Sequence, residues 1–221
     1  MFYLLGETRE TSAMPVSVQA ELYRANDIEN YDTTALRAKL ASGTELLFYS
    51  TYAVSQRLGP RCAFEFENAV VEYDFSTQPR FVARFRDGRR SEYGDPNVDR
   101  TQKIWQSLDA VRTGAPVACG VQAATPLTVT AIAAQRPVCS IASFPETMRG
   151  AGVLGDDSMI CIDGLDKALI ECFERGVLPA EAGQLSWARP ASVVKCGDTA
   201  PEPRPRATVT VSPRGQNVHA S

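Results

Sequence analysis

From Pro15 to Tyr93 apolar residues recur at every second position, and this period of two limits what the chain can build more than any of its other features. Val16, Val18, Ala20 and Leu22 alternate with Ser17, Gln19, Glu21 and Tyr23. Leu36, Ala38 and Leu40 alternate with Ala35, Arg37 and Lys39. Successive side chains of a strand point to opposite faces, so each run predicts a half-buried strand with one face inward. Ser42-Gly43 then turns the chain into "TELLFYSTYAV", whose apolar residues fall on both faces, the pattern of a central strand. Beyond "SQRLGP", the runs "RCAFEF" and "AVVEYDF" are separated by Glu67-Asn68, which suits a short hairpin connection. Phe81, Ala83 and Phe85 lead into Asp87-Gly88, a pair suited to a type I′ hairpin because both central residues of that turn need positive φ. Consecutive strands joined by short turns predict an antiparallel meander.

Near residue 96 the period lengthens. "GDPNVDRTQKIWQSLDAVRTG" places Val98, Ile104, Trp105, Leu108 and Val111 on one helical stripe, with Asp95 or Asn97 to cap its start, Pro96 in the first turn and Gly114 to close it. "TPLTVTAIAAQ" predicts a second helix, either capped by Thr125 with Pro126 in its first turn or reaching back to Val121 with a kink at the proline. A third helix runs from Asp163 to Arg175 on a stripe of Leu165, Leu169 and Phe173, with Gly176 as its stop. Strands first and helices after predict an α+β class: an open, predominantly antiparallel β-sheet with helices packed on one face. From Thr199 the composition shifts to Pro201, Pro203, Pro205 and Pro213 among Arg, Thr and Ser. The expected organisation is one domain over 1–198 and a flexible tail over 199–221, in which "ATVTV" could add an edge strand.

The chain opens on "MFYLLGETRE", where Phe2 to Leu5 are apolar with nothing before them to pack against. Gly6, Glu7 and Arg9 end the run too early for a secretory signal, and no later stretch approaches the ~20 apolar residues of a spanning helix. Phe2 to Gly6 instead reads as the last turn of a helix closed by glycine, a truncated element. A net charge of -3 argues against a broad phosphate-binding surface, so nucleic acid is not an expected partner, and no membrane partner is expected either. Six cysteines are spread singly without a CxxC pair, which reads as reduced, mostly buried thiols in a cytoplasmic protein.

Chemistry-bearing constellations are few. His219 is the only histidine and lies in the tail, so a Ser/His/Asp or Cys/His site has no base within the expected domain; the cysteine spacing offers no metal site. Glu65, Glu67, Glu72 and Asp74 could supply an acid/base pair or form a solvated strand face. Arg84, Arg86, Arg89 and Arg90 could meet an anionic group, pair with those carboxylates or blunt a sheet edge. There is no GxGxxG after a strand and no GxxxxGK[ST], hence no phosphate cradle. The residues alone name no catalytic group.

The ordered pieces "NDIENYDTTALRAKLASGTELLFYSTYAV", "GPRCAFEFENAVVEY", "IWQSLDAVRTGAPVACGVQAATPLTVTAIAAQ" and "SFP" resemble the C-terminal domain of the Gfo/Idh/MocA oxidoreductases, over about residues 1 to 196. The resemblance implies an open antiparallel sheet with helices on one face, which supplies part of a sugar or cyclitol pocket and a subunit interface. NAD or NADP would be bound by an N-terminal Rossmann domain and not by this chain alone. The family's glycine-rich loop, its Glu-Lys-Pro segment with the catalytic lysine and its Asp and His pair would all precede Met1, so none is carried over. "FYLLGE" resembles the end of the helix that bears that pair. Relatives often have histidine where this chain has Tyr52. Arg24, Tyr31 and Tyr52 are the candidates for contact with a polyol, as hydrogen-bonding side chains at strand ends or on an open face. The expected partners are a small polyol substrate and further copies of the chain, joined through the sheet face. The competing reading is a stand-alone binding or dimerisation module, in which Leu47, Phe48 and Tyr49 form an apolar patch.

Overall fold

A computed structural model describes residues 1–8, 11–56, 58–96, 99, 101–136, 140–154 and 157–198. The proline-rich segment, His219, Cys139, Asn97 and Val98 lie outside the described residues. The architecture is of the expected α+β class, with open and mostly antiparallel sheets and two of the described helices laid against the first of them.

The first sheet is built on β1 (Pro15–Arg24), β2 (Thr33–Leu40) and β3 (Glu45–Thr51), paired antiparallel in that order. The free edge of β1 is shared by two short strands. β11 (Val193–Lys195) pairs antiparallel with Ser17, Val18 and Gln19, and β8 (Ile141–Ser143) pairs parallel with Leu22, Tyr23 and Arg24. Among the described residues β3 is therefore an edge strand, not the central one that the two-faced pattern of "TELLFYSTYAV" predicted.

The reason is that both faces of this sheet are covered. On one face Val18, Ala20, Leu22, Ala38, Leu40 and Leu46 are buried against Ala133 and Ala134 of α2 (Val121–Ala134) and against Phe2. On the other, Tyr23 packs with Leu165 and Leu169 of α3 (Leu165–Arg175) and with Phe144 and Trp187. An edge strand lying between two layers buries residues on both sides. Beyond the single helical face expected from sequence, α3 and the segment after it supply a further layer. Each large apolar side chain taken from water here contributes roughly 1.5–3 kcal/mol.

Phe2 explains the apolar opening: it is buried in the α2-side core, and its carbonyl accepts the Ala13 N–H at 3.0 Å. Residues 2–5 form a 3-10 turn, and Gly6 follows in an extended conformation (φ -68°, ψ 151°). Gly6 is thus not a left-handed helix stop. Glycine is required because a Cβ there would overlap the Thr11 carbonyl oxygen.

Residues 52–60 carry the chain to a second sheet, the meander β4 (Arg61–Glu65), β5 (Ala69–Asp74), β6 (Gln78–Phe85) and β7 (Arg90–Glu92). Its charged face is a set of surface pairs: Arg84 to Glu72 at 3.3 Å, Arg80 to Glu92 at 2.9 Å, and Arg90 to Glu92. Of the arginines near this hairpin, Arg84 and Arg90 pair with strand carboxylates, whereas Arg89 pairs with Asp87 in the turn itself at 2.6 Å. The turn after β6 is not type I′, however. Phe85 N–H bonds Arg89 O (2.9 Å), Gly88 N–H bonds Phe85 O (3.1 Å), and the positive φ belongs to Gly88 (+87°) rather than Asp87. That is a three-residue loop ending in a left-handed glycine, and the same arrangement recurs at Gly43 (φ +86°) between β2 and β3.

α1 (Gln102–Thr113) begins later than its sequence signals suggest. Thr101 precedes it, Asp99 accepts the Thr101 N–H at 2.8 Å, and Asp95 and Pro96 stand outside the helix. Gly114 closes it in the left-handed region, φ +72°. α2 takes the longer of its two sequence readings, running through Pro126 from Val121. A further hairpin, β9 (Arg149–Leu154) with β10 (Asp157–Ile162), leads into α3.

Candidate functional site

The residues 25–32 that join β1 to β2 are held from several sides. Asp32 is buried, and its carboxylate accepts the Ala25 N–H (3.0 Å), the Asn26 N–H (2.8 Å) and the Asn26 side-chain amide (2.9 Å). Asn26 also exchanges hydrogen bonds with Ile160 of β10, donating to its carbonyl at 3.3 Å and accepting its N–H at 2.8 Å. Arg24 Nη1 donates to two successive carbonyls, Ile28 at 2.9 Å and Glu29 at 3.2 Å. A short polar connection is thus fixed in one shape.

Where this loop passes the end of α2, a cleft of about 400 Å³ opens, lined by Leu22, Glu29, Asn30, Gln135 and Ile141. Its floor is apolar, because Leu22 of β1 and Ile141 of β8 stand side by side in register. Its rim is polar. Asn30 is exposed and its Oδ1 accepts the Tyr31 N–H at 3.0 Å, while Glu29 and Gln135 have no side-chain partner among the described residues. An apolar floor beside a ring of amide and carboxylate groups can receive the C–H face of a ring and hydrogen-bond its hydroxyls.

Of the three residues chosen from sequence, the structure brings Arg24 and Tyr31 to the loop that borders the cleft. Arg24 meets backbone carbonyls, and Tyr31 packs partly buried against the α2-side core. Tyr52 stands apart at the end of β3, its side chain largely in solvent and its N–H donating to Asp32 O at 2.9 Å. None of the three lines the cleft. Sequence reasoning missed Glu29, Asn30 and Gln135. "DIEN" offered only a polar turn, and Gln135 reaches it from more than a hundred residues away.

A second polar cluster lies sealed between β1 and the segment after α3. Tyr23 donates to Glu21 at 2.5 Å, Glu21 accepts the Ala180 N–H at 3.2 Å, and the Tyr23 hydroxyl accepts the Arg189 N–H at 3.2 Å. Burial is the largest influence on both groups and pushes both pKa values up, with the hydrogen bonds from Tyr23 and Ala180 opposing it at Glu21. Glu21 is 3% exposed, and its carboxylate is taken up by Tyr23 and by the Ala180 N–H, so it anchors the covering segment. Burial likewise pushes the Cys172 thiol up to about 11. Cys161, Cys172 and Cys196 are buried, Cys62 is half-buried and Cys119 is exposed, all as free thiols.

A nicotinamide dinucleotide needs successive N–H groups at a glycine-rich turn from strand into helix. Among the described helices only α3 is entered directly from a strand, through Asp163 and Gly164. Asp163 and Asp166 would face a pyrophosphate there, so the residues present do not suit that group. Among the described residues no group of His, Cys, Asp and Glu could hold a metal ion, and no helix is long and apolar enough to cross a membrane.

No family model matches the chain, and no curated protein matches it. Among solved structures, the UDP-N-acetylglucosamine 3-dehydrogenase of Acidithiobacillus ferrooxidans is similar in two crystal forms. The values are 22% identity with a TM-score of 0.45 and 21% with 0.46, each over 54% of this chain and over 40% and 39% of that one. The aldose-aldose oxidoreductase of Caulobacter crescentus complexed with glycerol is similar at 19% identity and a TM-score of 0.42, over 53% of this chain and 37% of that one. The chain thus spans about two fifths of the length of these neighbours. At such values the likeness carries no argument about activity.

Proposed function

We propose that this chain is the substrate-binding and oligomerisation part of an NAD(P)-dependent oxidoreductase acting on a sugar, cyclitol or related polyol. The cleft at the end of β1 carries the reading: an apolar floor of Leu22 and Ile141 under a rim of Glu29, Asn30 and Gln135 suits a ring bearing hydroxyls. The ordered sequence segments that resemble the Gfo/Idh/MocA C-terminal domain support it. The nucleotide would be held by other sequence, and the chain alone would not turn over. Single free cysteines are consistent with a reducing, cytoplasmic setting.

The test is calorimetric titration of NAD, NADP and a neutral polyol into the 221-residue chain. The expected result is saturable binding of the polyol and none of either nucleotide. Saturable nucleotide binding at micromolar affinity would overturn the division of labour, because the chain would then build its own dinucleotide site.

A second reading, a binding module that assembles through an exposed face, is favoured by α1. No residue of this helix is buried, and Ile104, Trp105, Leu108 and Val111 all face solvent. The patch expected on β3 is smaller than foreseen, since Leu47 and Tyr49 face the α3 side and Phe48 alone is open, at 41% exposure. Both readings include assembly, and light scattering at micromolar concentration tests it: a dimer or tetramer is expected, and a clean monomer counts against any oligomerising role.

A further inference from the structure

We propose that the cleft selects an uncharged, hydroxyl-rich ring against its phosphate esters, and that Arg24 positions the rim which makes the selection. The inference rests on the proposed function and adds the charge class of the ligand. Among the described residues that line the cleft, Glu29 is the only charged one, and none is basic. A phosphate would lose its hydration beside a carboxylate without gaining a cation, whereas a neutral diol offers a donor to Glu29 and an acceptor to the amides of Asn30 and Gln135. The nearest candidate cation on β1, Arg24, turns its guanidinium to the Ile28 and Glu29 carbonyls, at 2.9 and 3.2 Å. Those two bonds gather the chain directly before Asn30, so that the side chains of Glu29 and Asn30 emerge together on the cleft side. Arg24 thus acts as a positioning residue, through Glu29 and Asn30.

The experiment follows amide resonances of the full 221-residue chain by nuclear magnetic resonance while myo-inositol, glucose and glucose 6-phosphate are titrated in turn. The neutral ligands are expected to shift Glu29, Asn30 and Gln135 saturably, with the phosphate ester at least about tenfold weaker. Glu29→Gln, at an exposed position that leaves the fold intact, should narrow that gap. Arg24→Met should weaken the neutral ligands about fivefold or more at an unchanged melting temperature, with Arg24→Lys restoring part of the loss. Equal or tighter binding of glucose 6-phosphate would overturn the charge selection and leave the polyol function standing. In that case loss of the ester's binding in Arg136→Ala, at the residue that follows Gln135 at the end of α2, would identify the cation responsible. Neutral binding indifferent to Arg24→Met would overturn the positioning role, as would polyol shifts confined to residues away from the cleft. No shift with any polyol would overturn this inference and the polyol assignment together.

Discussion

At the scale of single residues, Glu21 and Tyr23 sit next to each other on the apolar-and-polar alternation of β1, yet both are almost fully buried. Burial raises the Glu21 pKa above its ordinary 4.5, so the folded state holds its proton more tightly than the unfolded state does. The stability it contributes is present below 4.5 and is lost as pH rises through the raised value. Glu181 behaves oppositely. Arg37, bonded to it at 2.5 and 2.8 Å, holds its carboxyl below the usual range, so that contribution is present above 4.5 and is lost as pH falls. Melting temperature is therefore expected to peak on the acid side of neutrality, and Glu21→Gln should move the peak upward in pH; a profile identical to the parent's would exclude Glu21 as the cause. Tyr23→Phe removes the donor to Glu21 and should cost about 1.5–3 kcal/mol in denaturant unfolding. At Gly152 a Cβ would overlap Cys161 Sγ. Gly152→Ala should therefore destabilise, with Cys161→Ala recovering part of the loss in a double-mutant cycle. Alternation alone could not reveal the Glu21 pair, because a strand covered on both faces still reads as half polar.

At the scale of elements, those the sequence disclosed are those whose periodicity extends over a full strand or several helical turns. β1 to β6, α2 and α3 show it. β8 and β11 have three residues each and no period to read, and β9, "RGAGVL", has glycines at two of its six positions and so offers little alternation. α1 was legible as a stripe, but a stripe gives the apolar side of a helix and not what covers it. Isolated helices shorter than ~12–15 residues are marginal in water, so α1 should exchange its amide hydrogens fastest of the three helices unless the chain associates. Exchange measured across a concentration series checks this. The segment after α3 depends on Trp187, which meets Tyr23 edge-on at 4.9 Å and Phe144 at 5.2 Å. Trp187→Ala should cost about 3–5 kcal/mol and release that segment, which limited proteolysis would detect.

Across the whole molecule, the strand-then-helix order was enough to give the class, and the cleft was beyond sequence for a geometric reason. Leu22, Glu29, Asn30, Gln135 and Ile141 come from a strand, a loop, a helix end and a second strand, and no local pattern records that they meet. Arg24, Tyr31 and Tyr52 were chosen for polarity at strand ends or on an open face, a local signal, whereas the lining of the cleft comes together only where the chain folds back on itself. The shared edge of β1 has a bearing on how the chain is made. β1 leaves the ribosome more than a hundred residues ahead of residues 141–143 and 193–195, which pair with its outer hydrogen-bonding groups. Until those residues emerge the nascent chain carries an open strand edge that another chain could pair with, and slow synthesis of the stretch between would prolong that exposure.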